Sequence, residues 1–386
     1  MAFVINCYDL LIKNGTLVDP AQGIHKKMDI GIYGSRIVDV FEPDSKQGHI
    51  LGQKVIDAEG MLVVPGLIDG HTHVMPGFRA SYPIDELWKR GLTAVIDMGG
   101  QSSATFNRQR HLIDEAPCVI NACLGLSNMS EVQGEIPRYT ILDKEVDKYK
   151  IKDLFESHPD VLIGIKAFVG HADSPGAELT HAVLKKAREV CDFVGTRLFC
   201  HVANPDVPFP EIIDYFNPGD NFTHTYNKGN ILNEKGEVYP EAFAAKKRGV
   251  LFDSARGKRN WSYEVASTAF AQGFLPDVIT SDLTCLSNDK NTSRLHVHMG
   301  ECMSLGMSLE DVLYRATNVP ASYMKGVKVG VFKGNTANIT ILEMQDKEPY
   351  RYKDSFGIEY DGPVFLKPRA TVLNGRIMFN TIETDY

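Results

Sequence analysis

The stretch VVPGLIDGHTHVMPG, residues 63–77, decides the interpretation of the fold because two histidines, one residue apart, follow an apolar run. Successive side chains of a β-strand point to opposite faces, so His71 and His73 would share one face. Two imidazoles on one face can bind a metal ion, but a metal site needs further ligands. The rest of the chain must therefore supply them.

The composition is that of a globular protein that acts on small molecules. The chain has 386 residues, of which 43% are hydrophobic, enough for one large domain and a smaller one. The formal net charge is -8 and the sequence has no long Lys/Arg block, which argues against a nucleic-acid or an anionic-membrane partner. We therefore expect a small-molecule partner.

The sequence also predicts a cytoplasmic protein. Asp9 interrupts the apolar start of the chain, so we expect no secretory leader, and no later window has the length and hydropathy of a membrane span. The cysteines are odd in number and lack paired metal-type spacing, which suits reduced, buried thiols.

Residues 66–324 alternate strand-like runs with helical stretches, a pattern typical of parallel βαβ units. We count eight predicted strands: GLIDGHTH, GLTAVIDMG, PCVINACLGL, VLIGIKAFV, GTRLFCHVA, NFTHTY, GVLFDSA and PDVITSDL. Eight such units in about 250 residues predict an α/β fold, a (β/α)8 TIM barrel. A doubly wound open sheet is the alternative, but no Gly-rich dinucleotide loop follows an early strand.

The two ends of the chain differ from this middle region, because their sequences predict short strands separated by turns. β-rich runs separated by Asn-Gly, Gly-Ser or Glu-Gly open the chain, and the same pattern returns in NTANITILEM and PRATVLNGRIMFN. We predict that residues 1–65 and 325–386 pair into a small β-sandwich domain beside the barrel domain of residues 66–324.

In a barrel of this kind, catalytic side chains lie at the C-terminal ends of the strands, around one mouth. Six chemically distinctive side chains fall at or near those ends: His71, His73, Lys166, His201, His224 and Asp282. Imidazole and carboxylate are good ligands for zinc and similar ions, whereas lysine is one only if its ammonium is chemically changed. Because Lys166 lies in the apolar run IGIKAF, we expect it to be neutral, salt-bridged or modified.

This set of residues resembles the amidohydrolase superfamily, the urease-like metal-dependent hydrolases. The resemblance covers nearly the whole chain and includes PGLIDGHTH, the lysine of strand four, the histidines of strands five and six and the aspartate of strand eight. In addition, HTYN after strand six and PDVITSDL at strand eight resemble a deacetylase-like branch that is often labelled dihydroorotase.

The resemblance implies a centre of two divalent metal ions, with zinc as the default. Lys166 would be carboxylated by carbon dioxide and bridge both ions. His71, His73 and Asp282 would hold the more buried ion, and the histidines of strands five and six the more exposed one. A hydroxide that bridges the ions would attack a polarised carbonyl, and Asp282 would pass its proton to the leaving group. The implied reaction is hydrolysis of an amide or an ester.

The loop after strand seven, FDSARGKRNWSYEVAS, carries three cations where the deacetylase-like branch tends to have a histidine between glycines. Arg256, Lys258 and Arg259 would clamp a carboxylate or phosphate of an anionic substrate, or else face water as ordinary loop charges. The other candidate substrate contacts are Arg79, His171, Tyr226 and Asn227.

The expected function is deacylation of a small N-acyl or O-acyl carboxylate. A cyclic amidohydrolase of the dihydroorotase or hydantoinase type is the alternative, although that label expects an arginine where residues 74–76 read Val-Met-Pro. A non-catalytic scaffold is a third hypothesis, and the strand-four lysine argues against deamination. We expect a homo-oligomer, and residues 127–150 would form a lid or a subunit contact.

Overall fold

Five strands open the chain and belong to a mixed sheet of eight strands. They are β1 (Ile5–Asp19), β2 (Ile24–Tyr33), β3 (Arg36–Phe41), β4 (His49–Asp57) and β5 (Leu62–Pro65). The computed structural model describes residues 5–43, 45, 49–76, 82–127, 145–170, 176–285 and 294–382. The long β1 pairs antiparallel with β2 and parallel with β4 and β5, so it connects the two halves of the sheet.

Among the described residues, the middle of the chain forms a parallel sheet of seven strands. In chain order these are β6 (Leu67–Thr72), β7 (Leu92–Ser102), β8 (Val119–Gly125), β9 (Leu162–Gly170), β10 (Arg197–Ala203), β11 (Asn221–Thr223) and β12 (Leu251–Asp253). Each strand pairs with its neighbour in sequence. Strands β6 to β9 are buried on both faces almost throughout, which explains their continuous apolar sequences.

Helices follow most of these strands. They are α1 (Phe106–Asp114), α2 (Lys148–Ser157), α3 (Ala177–Val194), α4 (Phe209–Ile213), α5 (Pro240–Lys247), α6 (Tyr263–Ala271), α7 (Leu295–Ser304), α8 (Leu309–Arg315) and α9 (Asn318–Ala321). Single 3-10 turns lie at Pro20–Gln22, Ile84–Glu86 and Trp88–Arg90. Within the described ranges, every helix is too short or too polar to cross a lipid bilayer.

Strand β9 shows how the parallel sheet positions polar residues. Ile165, Ala167 and Val169 belong to the main hydrophobic core, which α3 shares through residues such as Leu184. Because side chains alternate along a strand, Lys166 must point to the opposite face, away from the helices. The same alternation places Cys200 of β10 in the core, as predicted, and turns His201 the other way.

The last strands return to the first sheet. They are β13 (Ile339–Gln345), β14 (Tyr350–Lys353), β15 (Glu359–Gly362), β16 (Phe365–Leu373) and β17 (Arg376–Asn380). β13 pairs with β5 and with β16, and β16 pairs with β17, so the two ends of the chain share one sheet. β14 and β15 form a separate hairpin.

The predicted eighth strand, residues 276–283, is not a regular strand in the structure. It makes two isolated parallel bridges, Val278 with Asp253 of β12 and Leu283 with Thr72 of β6. The backbone N–H of His73 donates to the Leu283 carbonyl at 2.8 Å. The segment therefore contacts both edge strands of the parallel sheet and brings Asp282 beside β6.

A buried ion pair connects the loop after β12 to α7. Arg256 donates from Nε and Nη2 to the two carboxylate oxygens of Glu301, at 3.1 and 3.0 Å, and also to the carbonyls of Gly257 and Lys353. Both charged side chains are fully buried. The prediction that Arg256 clamps a substrate anion is therefore wrong, because its guanidinium is already bound inside the protein.

The pKa of Glu301 shows that its partners stabilise the charged form of the carboxylate. Burial by itself would raise this pKa, but Arg256 and His298 lower it to about 2. His298 lies one helical turn before Glu301 on α7, and its Nδ1 is 2.9 Å from Glu301 Oε2. The carboxylate is therefore ionised at neutral pH.

We predict that Glu301→Ala lowers the free energy of unfolding by about 3–5 kcal/mol, because it leaves the Arg256 charge buried without its partner. Urea denaturation of the purified variant measures this change. The matched control is Glu310→Ala, which removes a half-exposed partner of His25 and should cost about 0–1 kcal/mol. Equal losses in the two variants would contradict the assignment.

Candidate metal centre

Three predicted ligands meet at one end of the parallel sheet. Asp282 Oδ1 lies 3.5 Å from His71 Nε2 and 3.3 Å from His73 Nε2. One ligand atom from each of the three side chains lies within 4.8 Å of the others. Both histidines are buried, and the bridge between Thr72 and Leu283 fixes the two segments side by side. This spacing suits one divalent ion bound by nitrogen and oxygen ligands.

Lys166 lies next to this cluster, and its side chain is fully buried. Its Nζ is 3.3 Å from His71 Nε2. Burial lowers the pKa of Lys166, which favours the neutral amine. Gly99 leaves room for the Lys166 side chain, because a Cβ on residue 99 would lie only 2.8 Å from the Lys166 Cβ.

His201 and His224 form the other side of the centre. Their ring centroids are 4.3 Å apart, and the His224 ring is 5.3 Å from that of His71. The structure therefore brings together all six side chains that the strand-end pattern selected.

The hydrogen bonding of His224 tests whether the centre fits a metal ion. Its Nδ1 lies 2.6 Å from the carbonyl oxygen of Ala255, which can only accept, so Nδ1 carries the proton and Nε2 carries a lone pair. Nε2 is buried, and no residue in the described ranges hydrogen-bonds to it. A buried nitrogen lone pair among other ligand atoms is what a divalent ion requires. The donor set therefore fits a divalent metal.

The buried surroundings favour the protonation states that metal ligands need. Burial lowers the pKa values of His71 and His224 well below their usual range, so both imidazoles are neutral, as metal ligands must be. For Asp282, burial acts to raise the pKa, but the pKa is lowered overall, and the hydrogen bond with His73 is the largest opposing cause. The centre thus combines the neutral imidazoles of His71 and His224 with an ionised carboxylate.

Known proteins with similar sequences and folds include named enzymes, although no family model matches the chain. A protein named Deacetylase from Enterococcus faecalis is 26% identical over 387 aligned positions, covering 97% of this chain and 100% of the relative. A Deacetylase from Brucella anthropi is 25% identical over 300 residues, or 76% of this chain and 74% of that protein. A dihydroorotase crystal structure has a TM-score of 0.82 at 23% identity and covers 97% of this chain and 98% of its own.

These similarities are the ones that the resemblance to the amidohydrolase superfamily predicts. The resemblance that the strand-end residues indicated is thereby confirmed, including its deacetylase-like and dihydroorotase-like character. In this chain, the bridge between residues 72 and 283 joins the first predicted strand of the parallel series to the last.

Asp253, at the end of β12, is a site residue that the sequence analysis missed. Its Oδ2 lies 3.4 Å from His71 Nδ1, and its Oδ1 accepts from Thr280 Oγ1 at 2.6 Å and from the Ala255 N–H at 3.0 Å. A carboxylate at Nδ1 keeps the proton there, so that the lone pair of His71 Nε2 faces Lys166 and Asp282. The only sequence signal was an acidic residue inside the buried run VLFDSA.

Two further buried aspartates hold the backbone around the centre. Asp69 accepts hydrogen bonds from the N–H groups of His71 and Ser281 and from the Ser281 hydroxyl, so it joins β6 to the segment 276–283. Burial raises its pKa to about 7. Asp97 on β7 accepts from the N–H groups of Val74 and Met75 at 2.9 Å each. These carboxylates fix the strand end from which the two histidines project.

The predicted substrate contacts have different outcomes. Tyr226 is a core residue: its hydroxyl donates to the Phe274 carbonyl at 3.0 Å and its ring packs edge-on against Trp261, so its prediction as a substrate contact is wrong. Asn227 is buried, and Lys258 and Arg259 are exposed; these three stay predictions. Arg79, His171 and most of the predicted lid, residues 128–144, lie outside the described residues.

We predict that Asp253→Asn weakens divalent-metal affinity by about 10-fold to 100-fold, the usual effect of removing a carboxylate that orients a ligand histidine. Competition titration against a chromophoric chelator measures the affinity. The matched control is Asp220→Asn, which alters a buried aspartate that accepts from the Leu198 N–H. These two residues lie at the N-terminal ends of β11 and β10, opposite to the strand ends that carry His224 and His201, so the affinity should stay unchanged. Equal affinities of the Asp253 variant and the wild type would rule out this role.

Proposed function

We propose that this chain is a metal-dependent hydrolase that removes the acyl group from a small N-acyl or O-acyl carboxylate. The observation that carries the proposal is the cluster of His71, His73 and Asp282, with ligand atoms within 4.8 Å of one another, beside the buried Lys166. The likeness to two named deacetylases over most of the chain supports the same reaction class.

We propose two divalent ions, with zinc as the default metal. The more buried ion would be held by His71, His73 and Asp282, and the other by His201 and His224. Carbon dioxide would carboxylate Lys166, converting its amine into an anionic ligand for both ions. The lowered pKa of the buried Lys166 supports this step, because the neutral amine is the form that reacts with carbon dioxide. When bound, the ions would lower the pKa of a water toward ~7 and polarise a carbonyl.

Asp282 is the proposed proton carrier. Its pKa is lowered, so it is ionised before reaction and can accept a proton from the attacking water. It would then donate that proton to the leaving nitrogen or oxygen as the bond to the acyl carbon breaks. Its Oδ1 lies 3.3 Å from His73 Nε2, so the proton carrier sits beside the proposed ligands of the buried ion.

The proposed substrate carries a negative charge. Lys258 and Arg259 lie exposed on the loop after β12. Gly257, the residue just before them, approaches Asp282. Their charges would attract an anion toward the mouth of the site.

We also propose that residues 276–283 serve as the eighth strand of a closed (β/α)8 barrel. The two parallel bridges to β12 and β6 support this closure. In the same proposal, residues 66–324 form the barrel domain, and residues 1–65 and 325–386 form a β-sandwich domain, supported by the sheet that the two ends share.

The direct test is an activity screen of the metal-loaded protein across N-acyl and O-acyl carboxylates. Release of the free amine or alcohol is the expected result. The screen includes cyclic amides, the substrates expected of the dihydroorotase or hydantoinase alternative. Ring opening without acyl release would replace the proposal with that alternative, and purified protein without stoichiometric divalent metal would contradict both.

We predict that Lys166→Ala abolishes metal retention, because the bridging ligand is lost. A short carboxylic acid added during reconstitution should partly restore it by filling the same space. Elemental analysis after gel filtration measures the metal. The matched control is Lys246→Ala, which removes a lysine paired with Asp277 at 2.8 Å and should keep the metal. Full occupancy of the Lys166 variant without additive would refute the bridging role.

We predict that Asp282→Asn reduces kcat by about 100-fold to 10,000-fold, the range for loss of a general acid-base group. Steady-state kinetics on the best acyl substrate measure the loss, normalised to metal content because Asp282 is also a proposed ligand. The control Asp311→Asn changes an aspartate in the first turn of α8 and should leave kcat unchanged. Turnover of the Asp282 variant at the wild-type rate would require a different proton carrier.

A further inference from the structure

A cavity of about 720 Å³ lies at the N-terminal ends of two strands of the parallel sheet. Leu162 begins β9, Arg197 begins β10, and both residues line the cavity. The candidate ligands Lys166 and His201 lie four residues later on the same strands, about 13 Å along an extended chain. This space, which we call the basal cavity, therefore lies away from the candidate metal centre, and its volume is typical of a small-molecule site.

The charged side chains that line the basal cavity comprise four cations and three carboxylates: Lys152, Arg188, Arg197, Lys325, Glu156, Asp192 and Asp220. Arg188 contacts two of the carboxylates, with its Nε 2.8 Å from Asp192 Oδ1 and its Nη1 beside Asp220 Oδ2. The Nζ of Lys152 lies 4.0 Å from Glu156 Oε1. All three carboxylates are thus already beside a cation, which leaves the other two cations for a ligand.

Arg197 is one of these two cations, and it is held in a position that suits anion binding. Leu198 packs in the main hydrophobic core, so the alternation along β10 turns Arg197 to the other face of the sheet. There its guanidinium lies over the Tyr323 ring, 5.0 Å from the ring centroid. Such a contact occupies the flat face of the guanidinium and leaves the N–H groups at its edge able to donate.

The guanidinium of Arg197 is half-buried, and no carboxylate in the described ranges forms an ion pair with it or with Lys325. Among the same residues, none accepts a hydrogen bond from the Arg197 side chain. A partly buried charged donor without an acceptor favours an anionic ligand, because charge-assisted hydrogen bonds are strong where water is partly excluded.

The segment that carries Tyr323 and Lys325 is fixed against the sheet. Tyr323 is only 6% exposed, and its ring packs edge-on against Phe199 of β10, with ring centroids 5.9 Å apart. Asn121 of β8 accepts from the Lys325 N–H at 2.6 Å and donates from Nδ2 to the Lys325 carbonyl at 3.5 Å. The ring below Arg197 and the backbone of the second cation are thus preorganised for a ligand.

We propose that the basal cavity binds a small organic anion, whose carboxylate or phosphate group is held by Arg197 and Lys325. The guanidinium edge donates two hydrogen bonds to the oxyanion, and the lysine adds a second positive charge. The uncharged body of the ligand contacts apolar side chains that line the same cavity, Phe155, Leu162 and Val194. This site is independent of the proposed function, because none of the six candidate metal ligands lines the cavity.

The arrangement of charge favours one class of anion. The carboxylates of Glu156, Asp192 and Asp220 share the cavity with the two cations. A compact polyanion would approach these carboxylates on every side and be repelled, whereas an anion charged at one end can turn its apolar body toward them. The expected ligand is therefore an aryl or alkyl carboxylate or phosphate ester rather than a free inorganic ion.

The test is calorimetric titration of the metal-loaded protein with benzoate, phenyl phosphate and inorganic phosphate. At least one of the two organic anions should bind the wild type with a Kd below about 1 mM and more tightly than inorganic phosphate. The tighter of the two organic probes identifies the ligand as a carboxylate or as a phosphate ester. Arg197→Gln should weaken its binding by about 10-fold to 100-fold, the effect of losing hydrogen bonds to a charged group.

Two further variants separate binding in the basal cavity from binding elsewhere. Lys325→Gln removes an exposed charge, so it should keep the fold and weaken the organic probe by about 3-fold to 10-fold. The matched control is Arg369→Gln, which changes a half-buried arginine paired with Glu343 in the terminal sheet and should leave the affinity unchanged. Circular dichroism and metal content establish that each variant is folded and loaded.

Crystals of the metal-loaded protein soaked with a brominated benzoate locate the probe directly. Anomalous bromine signal beside Arg197 and Lys325 is the expected result. Signal only at the metal centre or elsewhere would overturn the proposal, as would wild-type protein that binds neither organic anion at about 10 mM. Equal affinities of the wild type, Arg197→Gln and Lys325→Gln would also overturn it, because the bound anion would then lie outside the basal cavity.

Discussion

The contact of residues 276–283 with both edges of the parallel sheet is the constraint on which the candidate centre depends. Val278 bridges to β12 and Leu283 bridges to β6, which leaves Asp282 directly beside His71 and His73. Asp69 strengthens this contact because it accepts hydrogen bonds from Ser281 and from the backbone of β6. Without that alignment, the aspartate of the last segment would not reach the histidines of the first strand.

Burial then decides the chemistry of the centre. Removing a charged group from water disfavours its charged form, so the imidazoles of His71 and His224 stay neutral and the pKa of Lys166 falls. The same cause raises the pKa of Asp253 to about 7, whereas the pKa of Asp282 is lowered despite burial, chiefly by its hydrogen bond with His73. Two neutral imidazoles, a lysine with a lowered pKa and an ionised carboxylate thus lie together in one buried strand-end cluster.

The loop after β12 shows how residues of one charge type serve different purposes. Arg256 is bound to Glu301 in a buried ion pair and fixes the loop, whereas Lys258 and Arg259 are exposed. Between them, Gly257 brings the backbone against Asp282, and Asn260 follows with its amide oriented by Asn227. The buried ion pair thus fixes the loop whose Gly257 lies against Asp282.

The sequence by itself determined the parallel strand series and which strand-end side chains come together. Buried runs such as IGIKAF have a local signature, and alternation along a strand dictates which side chains share a face; seven of the eight predicted strands are regular strands. Only the tertiary structure decided the roles of Arg256, Tyr226 and Asp253. Their partners, such as Glu301 for Arg256 and His71 for Asp253, lie 45 and 182 residues away in the chain. No local pattern encodes such contacts, because burial and partner choice arise only when distant segments pack together.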